Sequence, residues 1–426
     1  MSEDKSKSFW EEIQGRYEIM GMEYTPAFYL RAGFKVTCKL VQKDVRPDCP
    51  YCGGIPNIHA YLSKELHFGT MNGVPVYIKI SHCRYQCKKC QNTFMEKFDH
   101  LPWHSGISED ARRYIISKLG LQTFTELASD VGICVQTIAN IAQAFGESER
   151  KVQLSGRYRY LSMDEVFITR NENGDAVYYW LLNDISTPWK SNNIRVDKGR
   201  NKEDVIERLR ELAHPETVLA VCIDMWKPYR DAICEALPNA AIVVDPFHVI
   251  QLAQKAMDEV RKSAKVDSKL KSEMKKNARL LFTSMFKLSG DELDTLERYL
   301  QSDPNLEKAY FHVQELMGVY RLHNYDNALN YLASWESDVV NSGIDEMISV
   351  LQTVQNWLPY IMNYFVHRIT NGKTEGKNHL LRVIDKMGFH YGLTSIQACL
   401  YAHDRKQEYL KWKKRLRVQC RRSIAA

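Results

Sequence analysis

A chain of 426 residues, 26% charged and 44% apolar with a formal charge of +6, can bury more than one core and has ordinary globular composition. No apolar run is long enough to span a bilayer, and MSEDKSKSFWEE lacks the apolar centre of an export signal, so a cytoplasmic protein without a membrane partner is expected. The positive excess is modest and concentrates in KVTCKLVQKDVR and SHCRYQCKKC near the start and in RKQEYLKWKKRLRVQCRR at the end, where it could meet an anionic partner or form a solvated face.

Residues 1–40 carry little periodicity, and YEIMGMEYTPAFYLRAG suits a strand or a short helix. Residues 41–98 hold five of the eleven cysteines. Cys49 and Cys52 lie in CPYCGG, and Cys87 and Cys90 in CRYQCKKC. Each C-x2-C pair turns two sulfurs toward one ion, and HFGTMNGVPVYIKISH between them reads as strand, turn, strand. Four thiolates satisfy a tetrahedral zinc and leave no open position, so a structural ion is expected. The alternative is a redox pair, because C-x2-C is also that spacing. Cys83 and His82 are substitute ligands. Lys79, Arg84, Lys88 and Lys89 nearby suit phosphate contact or simple solvation.

Residues 99–153 read as helices. In TFTELASDVGICVQTIANIAQAF, Thr123 or Thr125 can cap a helix that turns Leu127 and Ala128 inward. Gly132 supplies the turn, and Ile138 and Ile141 line the inner face of a second helix. That is helix-turn-helix spacing. Gln136, Thr137 and Asn140 then face outward, where such side chains meet base edges in a major groove. A three-helix bundle with no ligand has the same pattern.

Residues 154–250 alternate as strand, strand, helix, strand, helix, strand: YRYLSMDEVFITR, DAVYYWLLND, KEDVIERLRELA, TVLAVCID, PYRDAICEALP, AAIVVD. Asp164 lies within the first strand and Asp224 ends the third. Residues 251–365 are helical by their three- and four-residue apolar spacing, with Trp335 and Trp357 as buried anchors. Glu375 then opens the helix EGKNHLLRVIDKMG, capped by Thr374 or Asn371, within residues 366–393. A last basic helix occupies 394–426. Carboxylates at strand ends can share divalent ions, and two such ions would serve both the attacking and leaving oxygens of a phosphodiester. Magnesium or manganese is the expected metal for Asp164, Asp224 and Glu375. Asn378 can brace the glutamate, and Lys373, Lys377 and Arg382 are placed for DNA phosphates. Asp245 and His248 form a second candidate pair, auxiliary to that site, although Asp245 also reads as a helix cap. A solvated aspartate at a strand end is the plain alternative for any of the acids.

CPYCGG with RYQCKKCQNTF, SMDE, CIDMWKPYRDAICEALPNAAIVVDPFHVIQLAQKAMDEVR and TNGKTEGKNHLLRVIDKMGFHYG together resemble the ISL-three family of bacterial insertion-sequence transposases. The resemblance runs along nearly the whole chain. It implies a multidomain α+β protein: a zinc-binding module, a helix-turn-helix, and a ribonuclease H-like α/β core interrupted by a large helical insertion. The catalytic Asp-Asp-Glu triad falls on Asp164, Asp224 and Glu375. Pro246 departs from the family pattern, which carries a basic residue there. The implied activity is metal-dependent cleavage at the element ends followed by strand transfer, with the zinc and helix-turn-helix parts holding the terminal inverted repeats. The implied partners are double-stranded element-end and target DNA and further copies of the chain, as a homodimer or larger homo-oligomer, in the nucleoid of a bacterial cytoplasm. The rival expectations are a transposon-derived DNA-binding protein that no longer cuts, an RNA-processing or repair nuclease, and a zinc-bearing transcriptional regulator.

Overall fold

The computed structural model describes residues 17–25, 33–40, 46–71, 73–95, 106–170, 172–187, 190–388 and 391–425. The chain divides into two compact units, Met1–Lys151 with Leu380–Ala426, and Val152–His379. Among the described residues no helix is long and apolar enough to cross a membrane.

The first unit contains the sheet β1 (Tyr17–Thr25), β2 (Gly33–Leu40), β3 (Pro56–Met71), β4 (Val74–Cys87) and β5 (Thr93–Met95), in the order β1-β2-β4-β3 with β5 paired to β4. The stretch left open between strand and helix is therefore a strand at Tyr17–Thr25, and its continuation over 26–32 lies outside the described residues. β3 and β4 form the antiparallel hairpin suggested by the sequence. Gly73 lies at its tip with φ +75, a conformation that residues bearing a Cβ adopt at a cost. Alternation along β4 buries Ile78, Ile80, Cys83 and Tyr85 against Leu66 and leaves Lys79 and Arg84 exposed.

Helices α1 (Glu109–Lys118), α2 (Phe124–Val131) and α3 (Val135–Leu154) follow. Thr123, not Thr125, caps α2, through a reciprocal box with Glu126. The turn to α3 passes through Gly132 at φ +72, where an added Cβ would stand 2.2 Å from the Tyr77 hydroxyl. Leu127, Ala128, Val131, Ile138 and Ile141 are buried. Gln136 and Asn140 are exposed and Thr137 is half-buried. On the terminal helix, Leu393–Ala425, Arg405 forms a two-pronged ion pair with the buried Glu149.

In the second unit the sheet runs β10-β9-β6-β7-β8, from β6 (Tyr160–Arg170), β7 (Ala176–Thr187), β8 (Lys190–Lys198), β9 (Ala220–Ile223) and β10 (Ala241–Val244). The β6-β7-β8 part is antiparallel, and β6, β9 and β10 are parallel. Helices α4 (Lys202–Leu209) and α5 (Lys227–Ala236) make the crossovers to β9 and β10. The third strand, β8, was not apparent in the sequence because KSNNIRVDK lacks an apolar alternation. Asn193 and Arg195 are buried beside Ile194 and Val196. Burial of Arg195 is tolerated because its guanidinium is paired by the Asp197 carboxylate and donates to the Arg208 carbonyl at 2.7 Å.

Beyond β10 the unit is helical: α6 (Pro246–Ser263), α7 (Ser268–Lys276), α8 (Arg279–Phe282), α9 (Gly290–Leu300), α10 (Pro304–Val319), α11 (Tyr325–Ser342), α12 (Asp345–Met362) and α13 (Tyr364–His367). One apolar core runs from the sheet into these helices, with Trp335 and Trp357 buried in it as expected. The Trp335 indole N–H donates to the His312 carbonyl at 2.9 Å. Helix α14 (Gly372–Met387) follows the block. It starts earlier than Glu375, so Asn371 precedes its first residue and Thr374 lies within its first turn.

Candidate functional site

The strand register assembles an acidic cluster. Ser162 on β6 pairs with Cys222 on β9, and Val244 on β10 pairs with Ile223. Two residues beyond the first pair stand Asp164 and Asp224, and one residue beyond the second stands Asp245. Three aspartates thus lie abreast on three adjacent parallel strands, at the edge where such sheets present ligands. Asp245 also precedes α6, yet its side chain makes no capping hydrogen bond. Pro246 takes the first helical position, where its missing N–H costs nothing. That first turn brings His248 Nε2 to 2.7 Å from Asp224 Oδ1 and 4.0 Å from Asp245 Oδ2.

Glu375 comes to the same place from far along the chain. Asp245, His248 and Glu375 each offer a ligand atom within 4.8 Å of the others. Asp224 touches this group through His248. Asp164 is held from α14 by Asn378, whose amide donates to Oδ2 at 2.6 Å, while the Glu165 N–H donates to Oδ1 at 2.7 Å. Asn371 donates to Asp224 Oδ1 at 3.4 Å. Thr374, one of two cap candidates in the sequence, turns instead to β6: its hydroxyl bonds that of Ser162, and the Asn183 amide donates to it at 3.5 Å. Both hydroxyl residues are fully buried, so this network fixes the start of α14 against β6. Asn378 braces Asp164, not the glutamate as the spacing suggested.

Burial pushes the Asp164 carboxyl up to about 7, with the Asp224 charge adding to it against the Glu165 N–H, His248 and Asn378. Asp245 is pushed up to about 6, by burial first and then by Asp224, against His248 and backbone N–H groups. For His248, burial lowers the pKa, but the three aspartates outweigh it and the net shift is upward. Asp164 and Asp245 are thus both raised beside the Asp224 charge. The donor set fits a cation: carboxylate oxygens with a single imidazole suit a small divalent ion. Asp245 Oδ2, Asn371 Oδ1 and Asn378 Oδ1 are buried and have no hydrogen-bond partner.

Beside Asp224 a cleft of about 250 Å³ opens, lined in part by Trp226, Tyr229, Gln251 and Lys255. Glu165 stands at its edge, paired with Arg200 at 3.2 Å and accepting from the Tyr229 hydroxyl at 3.3 Å. Burial raises its pKa, against Arg200 and Tyr229. Composition and spacing mark none of these residues; their only signal in the sequence is the aromatic pair in DMWKPY. Of the basic residues proposed for phosphates, Arg382 is exposed, Lys377 is buried, and Lys373 donates to the Thr187 carbonyl at 3.3 Å.

The second candidate centre belongs to the first unit. Cys49, Cys52, Cys87 and Cys90 all place their sulfurs within 4.8 Å of one another. Cys49 Sγ lies 3.6 Å from Cys90 Sγ, and Cys52 Sγ lies 3.5 Å from Cys87 Sγ. Tetrahedral zinc with sulfurs at 2.3 Å requires roughly 3.8 Å between them. The chain closes on the sulfurs at Gly54, where a Cβ would stand 3.1 Å from Cys87 Sγ. The Cys87 thiol is held down to about 6, by the Cys90 backbone N–H first and that of Lys89 after. Cys90 receives the Asn92 N–H, which lowers it, but burial and the neighbouring sulfurs push it up to about 12. Cys83 and His82 are not part of the set; Cys83 is packed in the sheet core. Arg84 and Lys88 are exposed, with Arg84 donating to the Thr93 hydroxyl at 3.2 Å. Gln136 and Asn140 bond each other at 2.9 Å on the exposed face of α3.

The sequence profile of the ISL-three family, described as "Transposase", matches residues 161–399, more than half of the chain. The transposase for insertion sequence element IS1001 of Bordetella parapertussis is 20% identical over 390 residues, covering 90% of each chain. Among solved structures, the Drosophila P element transposase strand transfer complex aligns with a TM-score of 0.39 and 11% identity, over 69% of this chain and 91% of that one.

Proposed function

Because the chain belongs to the ISL-three family of bacterial insertion-sequence transposases, we propose that it binds the terminal inverted repeats of its element and carries out divalent-metal-dependent cleavage and strand transfer at Asp164, Asp224 and Glu375. The observation that carries the reading is the alignment of Asp164, Asp224 and Asp245 on neighbouring parallel strands, met by Glu375 from α14. The sheet order β10-β9-β6-β7-β8, three antiparallel strands followed by two parallel ones, supports a ribonuclease H-like core. The α6–α13 block is then the insertion between the second aspartate and the glutamate.

Bound magnesium or manganese ions, two in the full reading, would supply the Lewis-acid charge that activates an oxygen nucleophile and offsets charge on the transferring phosphate. The chain's own residues do the holding. Asp164, Asp224 and Glu375 supply carboxylate oxygens, and Asp245 and His248 are auxiliary ligands. Asn378 and Asn371 fix the two aspartates by donating to them. Ser162 and Thr374 lock α14 so that Glu375 meets the strands. The hydroxyls of Ser162 and Thr374 and the thiol of Cys222, which adjoin the cluster, are fully buried, which favours direct attack by water and then by a DNA hydroxyl.

The four cysteines are read as a structural zinc site, because a set of four sulfurs leaves no open position. The turn at Gly132 and the exposed Gln136, Thr137 and Asn140 support a helix-turn-helix that presents α3 to a major groove. Arg84, Lys88, Lys373 and Arg382 are assigned to phosphates, whereas Lys377 is buried and is not. The protein would act in the bacterial nucleoid as a homodimer or larger assembly on DNA. The test is Mn²⁺-dependent cutting of duplexes taken from the DNA flanking the gene. Wild type should nick them and join the freed 3′ ends to a second duplex. Asp164→Asn, Asp224→Asn and Glu375→Gln should each lose at least about 1000-fold in rate, about 4 kcal/mol of transition-state stabilisation, while still binding. Cutting that survives all three changes would refute the assignment.

A further inference from the structure

The cleft beside Asp224 has features that a metal site alone does not require. Trp226 follows Asp224 by two residues, and its N–H closes a tight turn on the Asp224 carbonyl at 2.7 Å. The indole is not buried; the residue is 38% exposed. Its position is nonetheless built. The Arg200 guanidinium lies 4.1 Å from the indole centroid and 4.7 Å from that of Tyr178. Glu165 anchors Arg200, and Tyr229 anchors Glu165. An exposed aromatic ring backed by a clamped cation is a preorganised stacking surface. Across the cleft, α6 contributes Gln251 and Lys255, together with the apolar Leu252. This combines a flat aromatic surface, an apolar wall, a side-chain amide able to read a heterocycle edge and a cation for phosphate.

We propose that this cleft holds one nucleobase of the cleaved DNA, drawn out of the duplex next to the scissile phosphate and stacked on Trp226, with Gln251 facing its edge and Lys255 its backbone. The inference rests on the reading of Asp224 as part of the cleaving centre and adds a specificity subsite to it. A paired base cannot reach a cleft beside the phosphate that is being cut. Extrusion into a fitted pocket meets that constraint, and the pocket offsets the lost stacking. Base–aromatic stacking of the usual strength corresponds to roughly 10- to 100-fold in rate or affinity. The same contact would fix which phosphodiester is cut, because the stacked base is tied to the phosphate beside it.

The test uses the full-length protein and flanking duplexes carrying 5-iododeoxyuridine in turn at each nucleotide on either side of the cut, with Ca²⁺ in place of Mn²⁺ so that bound DNA stays whole. Long-wave irradiation should join one position, adjacent to the cut, to the peptide containing Trp226. In parallel, Trp226→Ala should cut intact duplex 10- to 100-fold more slowly, Trp226→Phe should stay within a few-fold of wild type, and an abasic nucleotide at the crosslinking position should restore Trp226→Ala. Crosslinks that map outside the Trp226 and Gln251–Lys255 segments would overturn the proposal. So would wild-type rates for Trp226→Ala on every duplex. The wild-type crosslink map does not depend on any variant folding. Absence of cutting by wild type with Mn²⁺ would instead refute the cleaving centre itself, whatever the map.

Discussion

Asp164→Asn should make the metal-free protein more stable at alkaline pH while abolishing cutting. A carboxyl moved by burial and Asp224 from near 3.9 to about 7 disfavours the ionised folded state by about 4 kcal/mol. The folded protein binds more protons than the unfolded chain between those two values, so wild-type stability falls as pH rises through them, and the loss is complete above about 7. Roughly a third of that is lost by pH 5 and the rest by about pH 8. Asparagine removes the charge at constant volume, but one of the hydrogen bonds from the Glu165 N–H and Asn378 is broken, which costs about 1–2 kcal/mol. Variant and wild type should therefore melt together near pH 5, and the variant should lead by about 2 kcal/mol at pH 8. For a unit of the size of Val152–His379 that lead is roughly 4–8 °C. Thermal melts in EDTA measure it. Adding Mn²⁺ should then raise wild type and leave the variant nearly unmoved, reversing their order. A difference independent of pH from 5 to 8, or equal stabilisation of both by Mn²⁺, would show that Asp164 neither carries a burial cost nor binds the ion.

Cys87→Ser should lower zinc content from about one ion per chain toward none by elemental analysis, and should cost most of the DNA binding as the first unit loosens. Thr374→Val leaves the Ser162 hydroxyl and the Asn183 amide in want of a partner; it should destabilise by about 1–3 kcal/mol and reduce kcat more than DNA affinity, as read by melts and single-turnover cutting. Asn140→Ala should weaken binding to the element end by about 1–3 kcal/mol while leaving unrelated DNA unaffected. Arg382→Ala should weaken both equally and reduce the slope of log affinity against log salt by about 1, measured by fluorescence anisotropy.

What the sequence made legible was what depends on local order. The paired cysteines, the turn glycine at position 132 and the strand-ending Asp224 each announce themselves within a few residues, and the structure brings them where that order implies. What it hid depends on partners far along the chain. β8 is half polar because Arg195 is satisfied by Asp197 and by the Arg208 carbonyl, and no apolar pattern could mark it. Thr374 has the local appearance of a cap, yet its hydroxyl is committed to Ser162 on β6. The difference lies in a hydrogen bond spanning 212 positions, which spacing cannot express.

Asp245 and His248 are the most instructive case. An aspartate before a helix-starting proline is explained by capping, and in the sequence only the histidine three residues on suggests another role. The structure weakens that explanation, because the carboxylate makes no capping hydrogen bond of normal geometry, although the Phe247 and Asn371 N–H groups lower its pKa. It lies buried with Oδ2 unpartnered, beside a histidine that is also near Asp224 and Glu375. A buried carboxylate that is only partly satisfied is costly unless something neutralises it. His248 is one cation at most, and it faces the carboxylates of Asp164, Asp224, Asp245 and Glu375. That donor set suits divalent ions. Pre-aligned, mutually repelling ligands hold such ions more tightly than flexible ones, at the expense of the stability of the metal-free fold.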